Sequence, residues 1–421
     1  MNSTESLKWL YLDFNSYFTT IEQQINPSLR NKPVVVVPSL TEYTCAIAAS
    51  YEAKKMGIKT GTMIFEAKKV CAQLICIEAD HEKYIYYHHK LIREINKHVP
   101  IEVVCSIDEV ACKLMKNEAE TEKIIQIALA IKAGIKKNVG DYINCSIGIS
   151  TNKFLAKTAS NLKKPNGLKI IYKKDIPNKI LNLKLSDLTG IGQRMEKRLF
   201  LAGITNINKL YRLSPKNMRT IWGGVQGERF WNMLRGIDIP DVITNTSTIG
   251  HSHVLHPKWR NIRSSQQILR RLILKAGSRL RRKKFLCKKL SISIKTTCGI
   301  KMIGKKKFNK ISDSFSLLEK ADTLWIQLIR PYERIKIKHI SVILHGLEIE
   351  KHSQIDFFQC LESSVEVSLK KRIRLSNIID VINSRFGKDC ITIGNVSKNV
   401  SRFSGTKVAF TRIPDIKEFY E

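Results

Sequence analysis

Acidic residues are scarce in this chain. Against 72 Lys and Arg stand only 37 Asp and Glu in 421 residues, a formal net charge of +35. Such a chain repels itself unless a polyanion is its ordinary partner, so DNA, RNA and acidic membrane surfaces are the candidates. Long apolar runs are also lacking. None approaches the roughly 18 residues that span a bilayer, and the best, Ile124 to Ile135, is short and carries Lys132. The start, Met1-Asn2-Ser3-Thr4-Glu5-Ser6, has no basic segment followed by an apolar one, so no export signal is expected. The ten cysteines form no C-x-x-C pair and no ligand spacing. That argues against a zinc module or a disulfide framework, and for reduced thiols in a cytoplasmic protein. There is no internal repeat and no low-complexity tract.

What is present suits several packed domains. Hydrophobic residues make up 43% of the chain, and its length calls for two to four cores. Up to about residue 175, strand patterns (Trp9 to Phe14, Val34 to Val37, Ile143 to Ser150) alternate with helical ones (Tyr17 to Gln24, Ile64 to Leu74, Glu82 to His98, Ala119 to Lys137, Asn152 to Leu162). That alternation predicts an α/β or α+β domain. From Leu181 to Pro240 the pattern is helical with short glycine turns, and 241–248 reads as a polar linker. From Ile249 to Ile349 a helix (Ser264 to Leu280) lies among alternating strands, predicting a small α+β domain. Between Ser247 and Glu350 there are 24 Lys and Arg against 6 Asp and Glu, a surplus of 18, so half the excess charge lies in a quarter of the chain. Beyond Lys351 one helix pattern is visible, near Asn377 to Arg385.

The chemistry centres on Val103 to Leu114, where β-branched and apolar residues flank the bare pair Asp108-Glu109. The flanks read as two strands, or one bent strand, with the acids at the bend. Adjacent strand residues point to opposite faces, so the backbone must turn for both acids to meet one ion. Paired carboxylates repel each other unless a cation neutralises them. Magnesium suits such oxygen ligands, and it takes few protein carboxylates together with substrate phosphates. A solvated acidic turn is the plainer alternative. Asp13, closing the apolar strand Trp9-Leu10-Tyr11-Leu12, is either a helix N-cap or a third ligand. With it the set would suffice for two ions, which activate a hydroxyl and stabilise a leaving phosphate. Cations are at hand: Tyr51, Lys54 and Lys55 open a helix, and Lys164 sits at the turn Pro165-Asn166-Gly167.

Four segments together resemble the Y-family, or translesion, DNA polymerases, in that family's order and spacing. They are Leu12-Asp13-Phe14-Asn15-Ser16-Tyr17-Phe18, Ala49 through Gly57, Ser106-Ile107-Asp108-Glu109, and Gly148 through Lys157 with Lys164-Pro165-Asn166-Gly167. The likeness is closer to bacterial DinB- and UmuC-like members than to the shorter archaeal type. It implies an α+β, right-hand architecture: palm over 1–19 and 80–178, small fingers over 20–79, thumb over 179–240, little finger over 249–350 and a C-terminal tail over 351–421. It further implies that Asp13, Asp108 and Glu109, with the Phe14 carbonyl, hold two Mg²⁺. Tyr51, Lys54, Lys55 and Lys164 would contact the triphosphate of an incoming dNTP. Phe18 would be the steric gate that collides with a ribose 2′-OH, a core phenylalanine being the alternative. The implied activity is error-prone, template-directed synthesis past DNA damage, as in an SOS response.

Three residues depart from the family's habit. Lys54 stands where an Arg is usual and cannot make its bidentate contact. Ala48 replaces a hydroxyl residue, and Asn15 replaces a frequent Asp that is not a ligand. Gly190-Ile191-Gly192 resembles a helix-hairpin-helix, whose backbone N–H groups contact a DNA phosphate; a plain helical turn is the alternative. Arg279, Arg281 and Arg282, ending a helix, suit both its dipole and DNA phosphates. Gln354-Ile355-Asp356-Phe357-Phe358 resembles the peptide by which bacterial polymerases bind the sliding clamp: Gln354 sets the register, and Phe357 and Phe358 enter a pocket. A UmuD-like subunit is a further possible partner, and a membrane is not. Two competing readings are a catalytically idle DNA- and clamp-binding scaffold and an RNA-modifying enzyme. The first would be expected to lose acidic ligands, and the second does not explain the ordered motifs.

Overall fold

In the computed structural model, residues 7–350 are described apart from 116, 117, 119, 243, 244 and 333, as are 363–387, 390–394 and 413. The chain divides into two compact units near Val242.

The first unit is built on a five-stranded sheet of order β5-β6-β1-β7-β8. Its strands are β1 (Trp9–Phe14), β5 (Ile101–Val104), β6 (Glu109–Lys113), β7 (Cys145–Ser150) and β8 (Leu168–Ile171). The central strand β1 is antiparallel to both β6 and β7. All six of its residues are buried, so it reads as a continuous apolar run rather than an alternating one. The helices of this region are α1 (Tyr17–Ile25), α4 (His81–Ile95), α5 (Thr121–Asn138) and α6 (Lys153–Leu162). The last lies directly on the sheet, and Gly148 on β7 permits this. A Cβ there would stand 2.0 Å from the Ala156 carbonyl oxygen and 2.3 Å from the Ser160 nitrogen. Asn152 caps α6 by accepting from the Leu155 N–H at 2.8 Å.

A smaller three-stranded sheet, order β3-β2-β4, is inserted between α1 and α4; it comprises β2 (Val34–Val37), β3 (Ala48–Ala49) and β4 (Ile75–Glu78). Its valines and alanines pack on α2 (Tyr51–Lys55) and α3 (Ile64–Val70). Four short helices close the unit: α7 (Gln193–Leu201), α8 (Ile207–Tyr211), α9 (Pro215–Trp222) and α10 (Gln226–Leu234). Leu188, Ile191, Leu199, Met218 and Phe230 form their core, which continues into Phe154 and Leu155 of α6.

The second unit is a four-stranded antiparallel sheet of order β11-β10-β12-β9, with β9 (Thr248–Val254), β10 (Phe285–Thr296), β11 (Lys301–Ile311) and β12 (Ile337–His345); the short β13 (Glu348–Ile349) pairs with the start of β10. Leu290, Ile292, Ile294, Ile340, Val342 and Leu344 alternate along the central strands. They bury one face of the sheet in a single core with α11 (Ile262–Arg282) and α12 (Ser314–Ile329). The tail helix is far longer than its sequence pattern predicts: α13 runs Ser363–Phe386. Its apolar residues form only a weak stripe along the helix. The anchors are polar: Ser376 takes the Ser314 N–H on its hydroxyl at 3.0 Å, and Asp380 pairs with Arg281.

Candidate active site

Strand pairing brings the three acids together. Asp13 on β1 lies directly opposite Glu109, the first residue of β6, so the two side chains share a face of the sheet. Asp108 is the last residue of the turn between β5 and β6, and its carbonyl accepts the Phe14 N–H at 2.9 Å. The backbone turn that the sequence demanded is therefore present, and it is stitched to the strand that carries Asp13.

Each carboxylate has its own donor. Lys164 Nζ lies 2.6 Å from Asp13 Oδ2. The Ser106 hydroxyl donates to Asp108 Oδ1 at 2.6 Å. Glu109 Oε2 accepts both the Tyr11 hydroxyl, at 2.9 Å, and the Lys157 ammonium, at 2.8 Å. Burial pushes the Asp13 carboxyl up to about 6; Lys164 pulls it down, while Glu109 and Asp108 push it further up. Burial likewise raises Asp108, opposed by the Ser106 hydroxyl and reinforced by Glu109.

Among the described residues, no three His, Cys, Asp or Glu side chains are gathered closely enough to hold a metal ion as they stand. The donor set nevertheless fits a hard divalent cation: three carboxylates and a neighbouring backbone carbonyl, all oxygen. Two of the acids are desolvated to the point that their charge is costly, and a cation would offset that cost.

Of the nucleotide-side candidates, Lys164, Tyr51 and Lys54 gather on Asp13. Ser50 caps α2 by accepting from the Ala53 N–H at 3.3 Å, which sets the helix that carries Tyr51, Lys54 and Lys55. Tyr51 is half-buried, its phenol pushed up to about 12 by burial and then by the charge of Asp13. Lys54 lies 4.6 Å from the Tyr51 ring centroid and donates to the Ser16 hydroxyl at 2.6 Å. Burial and then the Lys164 charge lower its pKa. Lys55 is exposed. Phe18 is 4% exposed and stacks on Tyr84 with centroids 4.5 Å apart, so its ring is fixed by the aromatic group of α4.

Several contributors escaped the sequence reading. Asn15, noted only as a departure, accepts the Asn166 N–H on Oδ1 at 2.8 Å and donates to Ser146 at 3.1 Å, pinning the turn that carries Lys164. Lys132 of α5 donates to the carbonyls of Asn166 and Gly167 at 2.7 and 2.9 Å. Buried His88 of α4 meets the Ile107 carbonyl oxygen through Nδ1 at 2.8 Å. A carbonyl only accepts, so Nδ1 carries the proton. Nothing in a linear sequence pairs these residues; they are 19 to 151 positions apart.

The basic candidates divide. Gly190 has φ +92°, a left-handed conformation that favours glycine, and Gly192 is the N-cap of α7, so both sit in the turn that presents that helix start. Arg282 is exposed and Arg279 half-buried at the end of α11. Arg281 corrects its expected DNA role. Its Nε and Nη2 donate to Asp380 at 2.7 and 2.8 Å and its Nη1 to the Ser312 carbonyl at 2.7 Å, so the guanidinium is spent inside the fold. The acid that claims it lies 99 positions away, in the tail. The basic face that sequence reading missed is the side of the second unit's sheet that no helix covers among the described residues. The residues opposite in parity to the core ones include Lys289, Lys295, Lys301, Lys305 and Lys307, interleaved with Ser293 and Ser341. Its signal was the strict alternation in Leu290 to Ile294. Gln354, Phe357 and Phe358 lie outside the described residues.

Comparison with known proteins fits this geometry. Residues 12–161 match the impB/mucB/samB family, 246–357 that family's C-terminal domain, and 186–238 a thumb domain described from DNA polymerase iota. DNA polymerase IV of Moorella thermoacetica is 32% identical over 292 residues, covering 68% of this chain and 72% of the relative. The chain belongs to the Y-family of DNA polymerases. DNA polymerase IV of Oceanobacillus iheyensis, 26% identical over 403 residues, covers 93% of this Y-family chain and 92% of the relative. A solved chimaera of the Y-family polymerases Dbh and Dpo4 shares the fold at a TM-score of 0.69, with 24% identity, over 81% of this chain and 99% of its own. The protein is thus a translesion, DNA-directed DNA polymerase with a helix-hairpin-helix thumb and a C-terminal little finger. Polymerases of this family require a metal. No helix among the described residues is long and apolar enough to cross a membrane.

Proposed function

We propose that this polymerase adds deoxynucleotides to a primer by nucleotidyl transfer assisted by two Mg²⁺, opposite damaged template and with low fidelity. The observation that carries the reading is the pairing of Asp13 with Glu109, with Asp108 in the turn hydrogen-bonded to Phe14. Asp13, Asp108, Glu109 and the Phe14 carbonyl would hold the ions. When bound, such ions lower the pKa of the primer 3′-hydroxyl and stabilise charge on the transferring phosphate. The protein's own groups do the positioning. Lys164, on a turn fixed by Asn15 and Lys132, meets the triphosphate of the incoming dNTP, and Tyr51, Lys54 and Lys55 neutralise it from α2. The Phe18 ring, held by Tyr84, leaves no room for a 2′-hydroxyl.

Domain roles follow the same reading: palm over 1–19 and 80–178, fingers over 20–79, thumb over 179–240 and little finger over 249–350. Primer–template DNA is gripped by backbone N–H groups at Gly190 and Gly192, by Arg279 and Arg282, and by the lysine face of the little finger. These contacts carry no sequence information, which suits a polymerase that must accept any template. A short peptide at Gln354, Phe357 and Phe358 would dock on a bacterial sliding clamp. Damage tolerance in the cytoplasm, under SOS-type control and with or without a UmuD-like subunit, is the setting this implies.

Primer extension with Mg²⁺ tests the site. Asp108→Ala should lower extension on the order of 10³-fold while primer–template binding is kept. Normal extension by that variant refutes the assignment. Phe18→Ala should admit ribonucleotides, and unchanged sugar discrimination removes Phe18 from the gate.

A further inference from the structure

We propose that Tyr11 and Lys157 are positioning residues for Glu109: together they occupy one of its oxygens, so that it offers only the other to a cation. The inference rests on the acidic site proposed above.

The two donors converge on a single atom. The Tyr11 hydroxyl and the Lys157 ammonium reach Glu109 Oε2 at 2.9 and 2.8 Å. A carboxylate oxygen has two in-plane lone pairs, and two donors use both. Oε1 accepts no hydrogen bond from the described residues and is left for a metal as a single-oxygen ligand. Asp13 and Asp108 are held differently, each by one side-chain donor from a turn: Lys164 and Ser106.

Both donors are rooted in rigid structure. Tyr11 is 2% exposed, two residues before Asp13 on the same face of β1, and so aligned with Glu109 across the strand pair. Lys157 leaves the middle of α6, which the bare backbone of Gly148 allows onto the sheet. Its ammonium also lies 5.5 Å from the Tyr11 ring centroid, so the pair brace each other. Partners of this kind behind a metal ligand set its orientation, and their loss typically weakens metal affinity about 10–100-fold.

The rival explanation is that Lys157 merely fills the cation's place and leaves when metal arrives. The two accounts predict opposite signs. The test measures Mn²⁺ binding to the full chain by electron paramagnetic resonance, with primer–template ending in a dideoxynucleotide and with a matching dNTP. If Lys157 positions Glu109, Lys157→Met weakens Mn²⁺ binding about tenfold, Lys157→Arg restores part of it, and Tyr11→Phe, which removes one hydroxyl with little change of shape, weakens it less. Tighter or unchanged binding in Lys157→Met overturns the proposal. Asp108→Ala serves as the control. If it leaves Mn²⁺ binding intact, the acidic site itself fails; if it abolishes binding while Lys157→Met does not weaken it, only the role of Lys157 and Tyr11 fails.

Discussion

The two main sheets of this polymerase are built alike and charged oppositely. Each is largely antiparallel and carries packed helices. In the first, charge is concentrated at one end, where Asp13 and Glu109 face each other beside Asp108 and every acid has a named donor. In the second, lysines are spread along the face that no helix covers among the described residues, from Lys289 and Lys295 to Lys305 and Lys307, with Ile303, Ser291 and Ser293 between them. On the proposed function the difference follows from the ligands. A pair of small divalent ions would need a few oxygens at fixed points, whereas a duplex backbone presents phosphates at regular intervals and would be met by many weak contacts. The first sheet should therefore be sensitive to single residues and the second only to their sum.

The sharpest way to break the comparison is at Gly148. Gly148→Val places side-chain atoms inside the backbone of α6, which cannot retreat without moving Lys157. We expect a loss of about 3 kcal/mol in denaturant unfolding of the first unit, with extension abolished. A fully active, fully stable variant would show that α6 is not locked on the sheet.

The acid-bearing turn should also impose a pH dependence. Burial lowers His88 to about 4, opposed by its bond to the Ile107 carbonyl. The unfolded chain, with an ordinary histidine near 6.5, binds the proton more readily. His88 therefore contributes stability that is complete above about pH 6.5 and is lost as pH falls towards 4, by about 3 kcal/mol in all. His88→Gln should flatten the stability–pH curve in that window. An identical curve would mean that the turn is not held through this ring.

On the second sheet, the largest single effect should come from a charge that points inward. Asp380→Ala leaves Arg281, whose side chain is 7% exposed, without its carboxylate. Loosening of α13 by about 2 kcal/mol, read as roughly 30-fold faster amide exchange in that helix, is expected, with primer–template affinity unchanged. Loss of DNA affinity instead would return Arg281 to the duplex. The smallest effects belong to the open face. Lys305→Ala and Lys307→Ala should each weaken binding slightly and uniformly across sequences. Each phosphate that the double variant no longer neutralises should lower the slope of log affinity against log salt by about one unit. A collapse of binding from one substitution would contradict the distributed picture.

How much was legible beforehand follows the same division. Most helices of the first unit and its strands β1, β2 and β7 stood in the apolar periodicity, and the bend before Glu109 in the need for two adjacent acids to share a face; the short strands β4 and β8 were not read, because four residues beside a helix or a turn carry too little pattern. The lysine face was hidden although its residues were in plain view. Charge surplus locates a basic region, but only strand pairing says which lysines share a side. Arg281 misled because a basic helix end looks the same whether its partner is a phosphate or an aspartate in a distant tail. Helix α13 was read at less than half its length because its apolar stripe is weak, and contacts such as Ser376 to Ser314 and Asp380 to Arg281 that hold it are invisible in a linear pattern.

The sequence by itself determined the family and the order of most elements, and it singled out the three candidate acids, because these rest on local spacing and side-chain chemistry. Tertiary structure alone decided which donor each acid has, which arginine is spent within the fold and which oxygen of Glu109 remains open. Those outcomes depend on the approach of segments up to 151 residues apart, and distances of that kind are set by packing, not by any pattern along the chain.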